Sequence, residues 1–268
     1  MSQTTRWMWA ILHIVAFSVA LCFNGLANAL PLNGMTTGAL SDLYPNLFVP
    51  MGATFSICAL IYTWLLVFVG YGVVLARSAR VHTPLEDVGP WFAVNMFANA
   101  AWIVSWHWML VPVSLLLMVV ILFSLTAMYL RLGIGLVPAP ASDRWLVHAP
   151  VSLYLGWITV ATIANTTTLA VDLGVPAYGT GPAVVTVAVI GAAVLIAGRM
   201  LWARRDGIFT LVVCWALLGI HIKRAASEEG GSALVAGAAL AGLVVLGVGL
   251  VSTALRGVWA GREKLASQ

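Results

Sequence analysis

Charged residues are scarce in this sequence, and none falls in the middle of a long apolar stretch. Only 8% of the 268 residues are Asp, Glu, Lys or Arg, whereas 62% are hydrophobic. Soluble globular domains contain about 25% charged residues, so the composition excludes a soluble protein. A net charge of only +4 gives no basic surface for nucleic acid, and no carboxylate is placed for proton pumping. We therefore expect an all-α integral membrane protein whose surroundings are the lipid bilayer.

Cysteine is also rare, and motifs for catalysis or metal binding are missing. Cys22, Cys58 and Cys214 lie in apolar runs without metal-type spacing, which predicts buried thiols rather than disulfides. The sequence shows no phosphate loop, no Ser-His-Asp arrangement and no zinc motif in a credible context. His13 is the only mid-span histidine, and it has no partner histidine for a haem site. We predict no catalytic residue, no metal and no required cofactor, and a protein that is not an enzyme is favoured.

Long apolar runs separated by charges predict about eight transmembrane helices. Residues 1–6 lead directly into the first run, which we interpret as a retained span rather than a signal peptide. Only residues 109–112 separate the third and fourth runs, which predicts a tight hairpin. The seventh run is the shortest, at about 15 residues. The predicted spans are 7–30, 50–76, 89–108, 112–130, 145–171, 182–202, 208–222 and 232–255.

The basic residues are distributed unevenly between the two sides of this arrangement. Of the 13 Lys and Arg residues, all except Lys223 and Arg224 fall on one side. Basic loops remain in the cytoplasm, so we expect both termini to be cytoplasmic. The membrane is expected to be a bacterial inner or plasma membrane.

The composition changes near Asp172, where aromatic and polar residues give way to Ala, Val, Gly and Leu. We therefore predict two domains: a five-helix ligand-binding bundle over 1–172, and a three-helix extension with a basic cytoplasmic tail over 173–268. The pairs Gly237/Ala241 and Ala238/Gly242 have the small-xxx-small spacing that lets membrane helices approach closely.

The third span carries a polar and aromatic stripe. Asn95, Asn99, Trp102 and Trp106 follow i, i+4, i+7 and i+11, which places them on one face of a helix. Such a face must look at something other than lipid tails. The amides could bond helix to helix or line a pocket, and the residue types fit both explanations. Trp106 lies at the end of the span, where an interfacial belt position is also favoured.

The second and fifth spans each carry a face of similar composition, and the second span begins at Pro50. Aromatic walls with a few placed hydrogen-bonding groups suit a flat, largely apolar ligand. The predicted ligand-binding residues are those on the three faces: Pro50, Phe55, Cys58, Tyr62, Asn95, Asn99, Trp102, Trp106, Tyr154, Trp157, Ala161 and Asn165.

Three sequence blocks resemble the tryptophan-rich sensory protein / translocator protein family, also called the peripheral benzodiazepine receptor family. The first family block is Pro-x-Trp-x-Pro-Pro followed by Val-Trp-x-x-x-Tyr. Pro45, Pro50 and Tyr62 keep its spacing, whereas Leu47 and Cys58 replace its tryptophans. The missing tryptophan at Cys58 leaves any indole-dependent photochemistry open.

The second and third blocks lie in spans 3 and 5. The family's Asn-x-Ala-Trp is present as Asn99 to Trp102. Its Tyr-Leu-Ala-Trp corresponds to Tyr154 to Trp157, with Gly156 in place of the alanine, and Asn165 follows at the family spacing. The resemblance covers about residues 10–172. It leaves the last three spans as an extension, because the family is a five-helix bundle.

The resemblance implies a pocket among the first five spans that opens toward the loop between spans 1 and 2. It implies a receptor or sensor that binds a tetrapyrrole such as protoporphyrin IX or haem, a sterol or another small amphiphile. It also implies pairing into homodimers. Two alternatives stay open: a transporter of an amphiphilic small molecule, and an enzyme that degrades its bound tetrapyrrole.

Overall fold

Each predicted span contains one long helix. The computed structural model describes residues 2–30 and 32–266, with side chains given except for Asn28 and residues 257–266. The long helices are α1 Gln3–Ala29, α2 Ile57–Arg77, α3 Trp91–His107, α4 Val111–Arg131, α5 Ala149–Asp172, α6 Thr180–Arg204, α7 Gly207–Ala225 and α8 Ser232–Ala266. No strand occurs in these residues. The prediction of an all-α membrane protein is confirmed.

Seven of the eight long helices in the described residues are long and apolar enough to cross a bilayer. The exception is α3, which has 17 residues and so lies at the lower limit for a span. Helix α7 has 19 residues and qualifies, although its predicted span was the shortest. Helix α8 continues to Ala266, beyond the predicted end at 255. The side chains of the predicted basic tail beyond Arg256 lie outside the described residues.

Short elements connect the long helices. Helix Thr37–Asp42 lies in the loop after α1, and we call it the loop helix. A 3-10 turn, Gly52–Ser56, leads into α2. Helices α3 and α4 form the predicted tight hairpin, in which the Leu110 backbone N–H donates to the Ser105 carbonyl at 2.9 Å.

Helix α3 is the central helix of the first half of the chain. It packs against α1 on one side and α4 on the other, α4 packs against α5, and α2 packs against α1 and α5. This position explains why so many of its side chains are buried, including Asn95, Asn99 and Trp106. A helix that packs against neighbours on several sides can carry amides at membrane depth, because their partners come from neighbouring helices rather than water.

The last three helices pack against one another and against the first five through α7, which runs along α5. Gly219 lets α7 lie directly on the turn before α2. A Cβ built on Gly219 would lie 2.0 Å from the Thr54 hydroxyl oxygen and 3.0 Å from Pro50. The Met51 N–H donates to the Gly219 carbonyl at 3.2 Å, and the Trp215 indole donates to the Thr54 carbonyl at 2.9 Å. The extension is therefore joined to the wall of the first bundle.

Only one of the two small-residue pairs in α8 is packed as predicted. A Cβ on Gly242 would lie 2.7 Å from Val194 of α6, so this glycine allows close helix contact. Gly237 and Ala241 are exposed, and a Cβ on Gly237 would meet nothing within 4 Å. The prediction of close packing is wrong for that pair, because it lies on the outer face of the helix.

The cysteines are free, as predicted, but they are not all buried. Cys214 is buried, Cys58 is half-buried, and Cys22 is exposed. The prediction is wrong for Cys22 because its side chain lies on the outer face of α1. An apolar run identifies a span but does not say which of its faces meets other helices.

A buried ion pair fixes the start of α1. The Arg6 guanidinium donates to Glu86 Oε1 at 2.8 and 3.0 Å and to the carbonyls of Ser78 and Val81. Burial alone raises the pKa of Glu86, but the hydrogen bond from Arg6 and nearby positive charges outweigh it and lower the pKa below its ordinary value. The charged pair therefore ties α1 to the connection between α2 and α3.

Candidate ligand-binding cavity

A cavity of about 560 Å³ lies among α1 to α5, with the loop helix contributing to its wall. This volume falls within the range of about 300–1,000 Å³ that is usual for small-molecule sites. Most of the lining is apolar or aromatic, and the polar groups are few. Such a lining is poorly hydrated and favours a ligand with an apolar body.

Eleven of the twelve predicted residues line this cavity, and Asn95 does not. The lining residues bring together the three predicted faces from α2, α3 and α5 with the turn before α2. They are Pro50, Phe55, Cys58, Tyr62, Asn99, Trp102, Trp106, Tyr154, Trp157, Ala161 and Asn165.

Asn99 connects α3 to three other helices at the cavity wall. Its Oδ1 accepts hydrogen bonds from Asn24 Nδ2 at 2.7 Å and from the Tyr62 hydroxyl at 3.1 Å. Its Nδ2 donates to the Tyr154 hydroxyl at 2.8 Å. Because that hydroxyl accepts here, its own proton can point to a ligand carbonyl or ring nitrogen. Asn99 is therefore both a bond between helices and the centre of the cavity's polar spot.

Asn165 forms a second polar spot with Trp102 and Ser114. Its Oδ1 accepts from the Trp102 indole and from the Ser114 hydroxyl, both at 3.3 Å, and its Nδ2 lies 3.0 Å from the same Ser114 oxygen. These contacts join α3, α4 and α5. They also fix the plane of the Trp102 ring, which stacks on Trp106 with a centroid distance of 6.0 Å.

Aromatic rings form another part of the wall. The Phe55 and Trp157 rings meet edge to face, with centroids 5.6 Å apart and an interplanar angle of 86°. This geometry is favourable for aromatic pairs. Cys58 lies one turn after Phe55 and is half-buried. The family tryptophan is thus replaced by a smaller side chain, which leaves more open volume at this position.

The end of α3 holds the loop helix in place. The Trp106 indole donates to the Thr37 carbonyl at 3.3 Å. The two ring nitrogens of His107 lie 2.9 Å from the Leu32 carbonyl oxygen and 3.1 Å from the Thr37 hydroxyl. Both side chains are buried. The belt position favoured for Trp106 is therefore wrong, because the loop covers this end of α3.

Asn95 bonds helices instead of lining the cavity. Its side chain is fully buried, and Nδ2 donates to the Ile121 carbonyl at 3.0 Å and to the Ser124 hydroxyl at 2.9 Å. Both partners lie on α4. One turn separates Asn95 from Asn99, and at this depth α4 packs directly onto α3 and closes the space. Of the two explanations for the stripe, the interhelical bond holds for Asn95.

Several cavity residues were missed by the sequence analysis. Asn24 of α1 bonds to Asn99, and Thr37 and Ser41 of the loop helix line the cavity. Ser114 positions Asn165 from α4. Asn24 is an amide inside the first span, with Asn28 one turn later, and that was an available signal, because intramembrane amides have partners. The loop residues carry no comparable signal.

The fold and the cavity together define an all-helical membrane protein with an internal space of ligand size. The family model described as TSPO-like protein matches residues 10–252, and this chain belongs to that family. The match extends past residue 172 and includes most of α6 to α8. The prediction that the resemblance ends at 172 is therefore wrong. Comparison with curated proteins and with solved structures gave no match.

Proposed function

We propose that this protein is a translocator-type membrane receptor or sensor that binds a flat, largely apolar ligand among α1 to α5. A tetrapyrrole such as protoporphyrin IX or haem fits this description, and so does a sterol-like molecule. The main support for the proposal is that the Asn99 polar spot lies in a cavity with aromatic walls. Burial of the apolar body stabilises the complex, while the polar spot at Asn99 selects the orientation of the ligand.

The walls and the polar spots have different roles in this proposal. Trp102 and Trp157 contact the flat faces or edges of the ligand, and each large aromatic contributes a wide contact area. Tyr154 offers a hydroxyl proton to a polar atom of the ligand. Because Asn99 holds that hydroxyl in place, little ordering is needed when the ligand binds.

A tryptophan-quenching titration with protoporphyrin IX tests the proposal. We expect saturable quenching in the native protein and an affinity about tenfold lower in Trp102→Ala or Trp157→Ala, which corresponds to about 1.4 kcal/mol. Trp202→Ala is the matched control, because Trp202 is 67% exposed on α6 and does not line the cavity. Dissociation constants are compared, since each variant also loses one of the 12 tryptophans. Absence of saturable quenching in the native protein refutes the proposal.

The same preparation distinguishes the two alternatives. A receptor gives binding without net movement of protoporphyrin IX across liposomes, whereas a transporter gives flux. A degrading enzyme bleaches the bound pigment under light and air. Binding without flux or bleaching supports a receptor or sensor.

The charge distribution supports an orientation with both termini in the cytoplasm, which places the loop helix outside. A thiol-specific reagent that does not cross membranes tests this when Glu228 is replaced by cysteine in a background that lacks the native cysteines. Labelling of intact cells supports the orientation, and labelling only after lysis contradicts it. The bacterial membrane and the homodimer remain predictions.

A further inference from the structure

A second, smaller cavity of about 120 Å³ adjoins the main cavity. Ser41 and Val49 line both of them. The remaining walls of the small cavity come from the loop after the loop helix, from Tyr178 between α5 and α6, and from the end of α7. The α7 end contributes Lys223 and Arg224, with Glu229 following. We call this space the outer cavity.

The Arg224 side chain in the outer cavity is only 3% exposed, and its ion-pair partner Glu229 is 43% exposed. Within the described residues, its Nε and Nη1 atoms have no hydrogen-bond partner. The nearest carboxylate oxygen, Glu229 Oε2, is 3.7 Å from Nη1, which is too long for a hydrogen bond. A buried cation without full pairing is costly, so this guanidinium is suited to receive another anion.

Lys223 is more exposed than Arg224, at 28%, but it is also paired over a long distance. Its Nζ lies 3.6 Å from Asp42 Oδ1, and the Asp42 side chain is 73% exposed. Glu229 is also exposed, at 43%. The two carboxylates are therefore hydrated and weakly held, whereas Arg224 is enclosed. An incoming anion can displace Glu229 into water without leaving a buried carboxylate behind.

We propose that Arg224, assisted by Lys223, binds a carboxylate group of an anionic amphiphile whose apolar body occupies the main cavity. This inference rests on the proposed function and specifies the chemistry of the ligand. The two cavities are adjacent at Ser41 and Val49, so in this proposal the charged arm of the ligand passes beside these residues. The site depends on α7, so the last three helices supply part of the binding site.

The proposal gives a reason for the exceptional charge pattern. Lys223 and Arg224 are the two basic residues that fall on the predicted outer side. Positive charges there oppose the usual distribution. Both of them line the outer cavity, so their position corresponds to a binding role.

A comparison of protoporphyrin IX with its dimethyl ester tests the proposal. The two probes share the flat ring, but only the free acid carries carboxylates. We expect the native protein to bind the acid about tenfold more tightly, as for a charge-assisted hydrogen bond. Arg224→Gln should remove this preference and leave the affinity for the ester unchanged. Arg205→Gln, a change at the opposite end of α6 from the outer cavity, is the matched control.

A second variant tests the proposal without altering a buried residue. Glu229→Gln removes the competing carboxylate, so the acid should bind severalfold more tightly and the ester should not change. Glu228→Gln is the matched control, because Glu228 is exposed and does not line the outer cavity. Inorganic phosphate serves as a competitor: because Arg224 receives the anionic group in this proposal, phosphate should weaken binding of the acid and not of the ester. Equal weakening of both probes would overturn the carboxylate site.

The outcomes separate this inference from the proposed function. Equal affinity for acid and ester in the native protein, with no effect of Glu229→Gln, overturns the carboxylate site and leaves the main cavity as the binding site. Failure of both probes to bind the native protein overturns both proposals. Opposite shifts for Arg224→Gln and Glu229→Gln, seen with the acid only, support the site even if Arg224→Gln is less stable.

Discussion

Replacement of Asn99 by leucine is expected to reduce both the stability of the helix bundle and its affinity for ligand. Leucine has the same number and branching of side-chain heavy atoms, although it is larger, so the change removes hydrogen bonds without opening a void. Three bonds are lost, to Asn24, Tyr62 and Tyr154. Hydrogen bonds between membrane helices contribute about 0.6 to 1.7 kcal/mol each. The expected loss in the free energy of unfolding is therefore about 2–5 kcal/mol.

Asn95→Leu is the matched control for this experiment. Asn95 lies one turn away on the same helix and makes two bonds to α4, but it does not line the cavity. By the same reasoning it should lose about 1–3 kcal/mol of stability and keep its affinity for protoporphyrin IX. The two variants thus separate loss of stability from loss of the site.

Stability is measured by denaturant titration in mixed micelles, followed by far-UV circular dichroism, and affinity by tryptophan quenching. We expect Asn99→Leu to weaken ligand binding because the Tyr154 hydroxyl is no longer held toward the cavity. The reasoning fails if Asn99→Leu and Asn95→Leu bind protoporphyrin IX equally well. It also fails if Asn99→Leu unfolds at the same denaturant concentration as the native protein.

Two further changes test the packing and the buried ion pair. Gly219→Ala should lower the free energy of unfolding by about 1–3 kcal/mol, because the new Cβ meets Thr54 and Pro50. Gly237→Ala is the control and should have little effect, because its new Cβ lies in open space. Equal losses of stability in the two variants would contradict the contact at Gly219. The lowered pKa of Glu86 means that its pairing with Arg6 is complete above the ordinary glutamate pKa and is lost as the pH falls through the lowered pKa. Thermal stability of the native protein should therefore decline as the pH falls through this range. Glu86→Gln should be less stable than the native protein at neutral pH, but its stability should not show this decline. Identical pH profiles of the two proteins would refute the role of the Arg6–Glu86 pair.

The sequence was sufficient to predict the helices but not the direction in which each helix face points. Long apolar runs bounded by charges located all eight helices, because a span has few alternatives in lipid. Cys22 and Gly237 were placed incorrectly because both lie on outer faces. A span that is apolar on every side carries little pattern to distinguish lipid from protein contact.

The candidate site was predictable where several residues share one helix face. The stripes on α2, α3 and α5 gave nine cavity residues, and Pro50 and Phe55 at the start of the second predicted span gave two more. Asn24 was overlooked although Asn28 follows it one turn later on the same helix. Asn95 continued the stripe of Asn99 in sequence, but α4 closes the space beside it. Arg224 was interpreted only through its charge, since its environment depends on a loop more than 170 positions earlier in the chain.

The contact of Gly219 with Thr54 couples the position of the turn before α2 to the position of α7. The turn that begins α2 belongs to the cavity wall through Pro50 and Phe55, and it also receives α7. A ligand that favours one position of this turn must therefore favour one position of α7, and the effect is reciprocal. We expect protoporphyrin IX to slow hydrogen exchange along α7 as well as around the cavity. Gly219→Ala should remove the effect of the ligand on hydrogen exchange in α7. If protoporphyrin IX leaves exchange in α7 of the native protein unchanged, the cavity wall and α7 move independently.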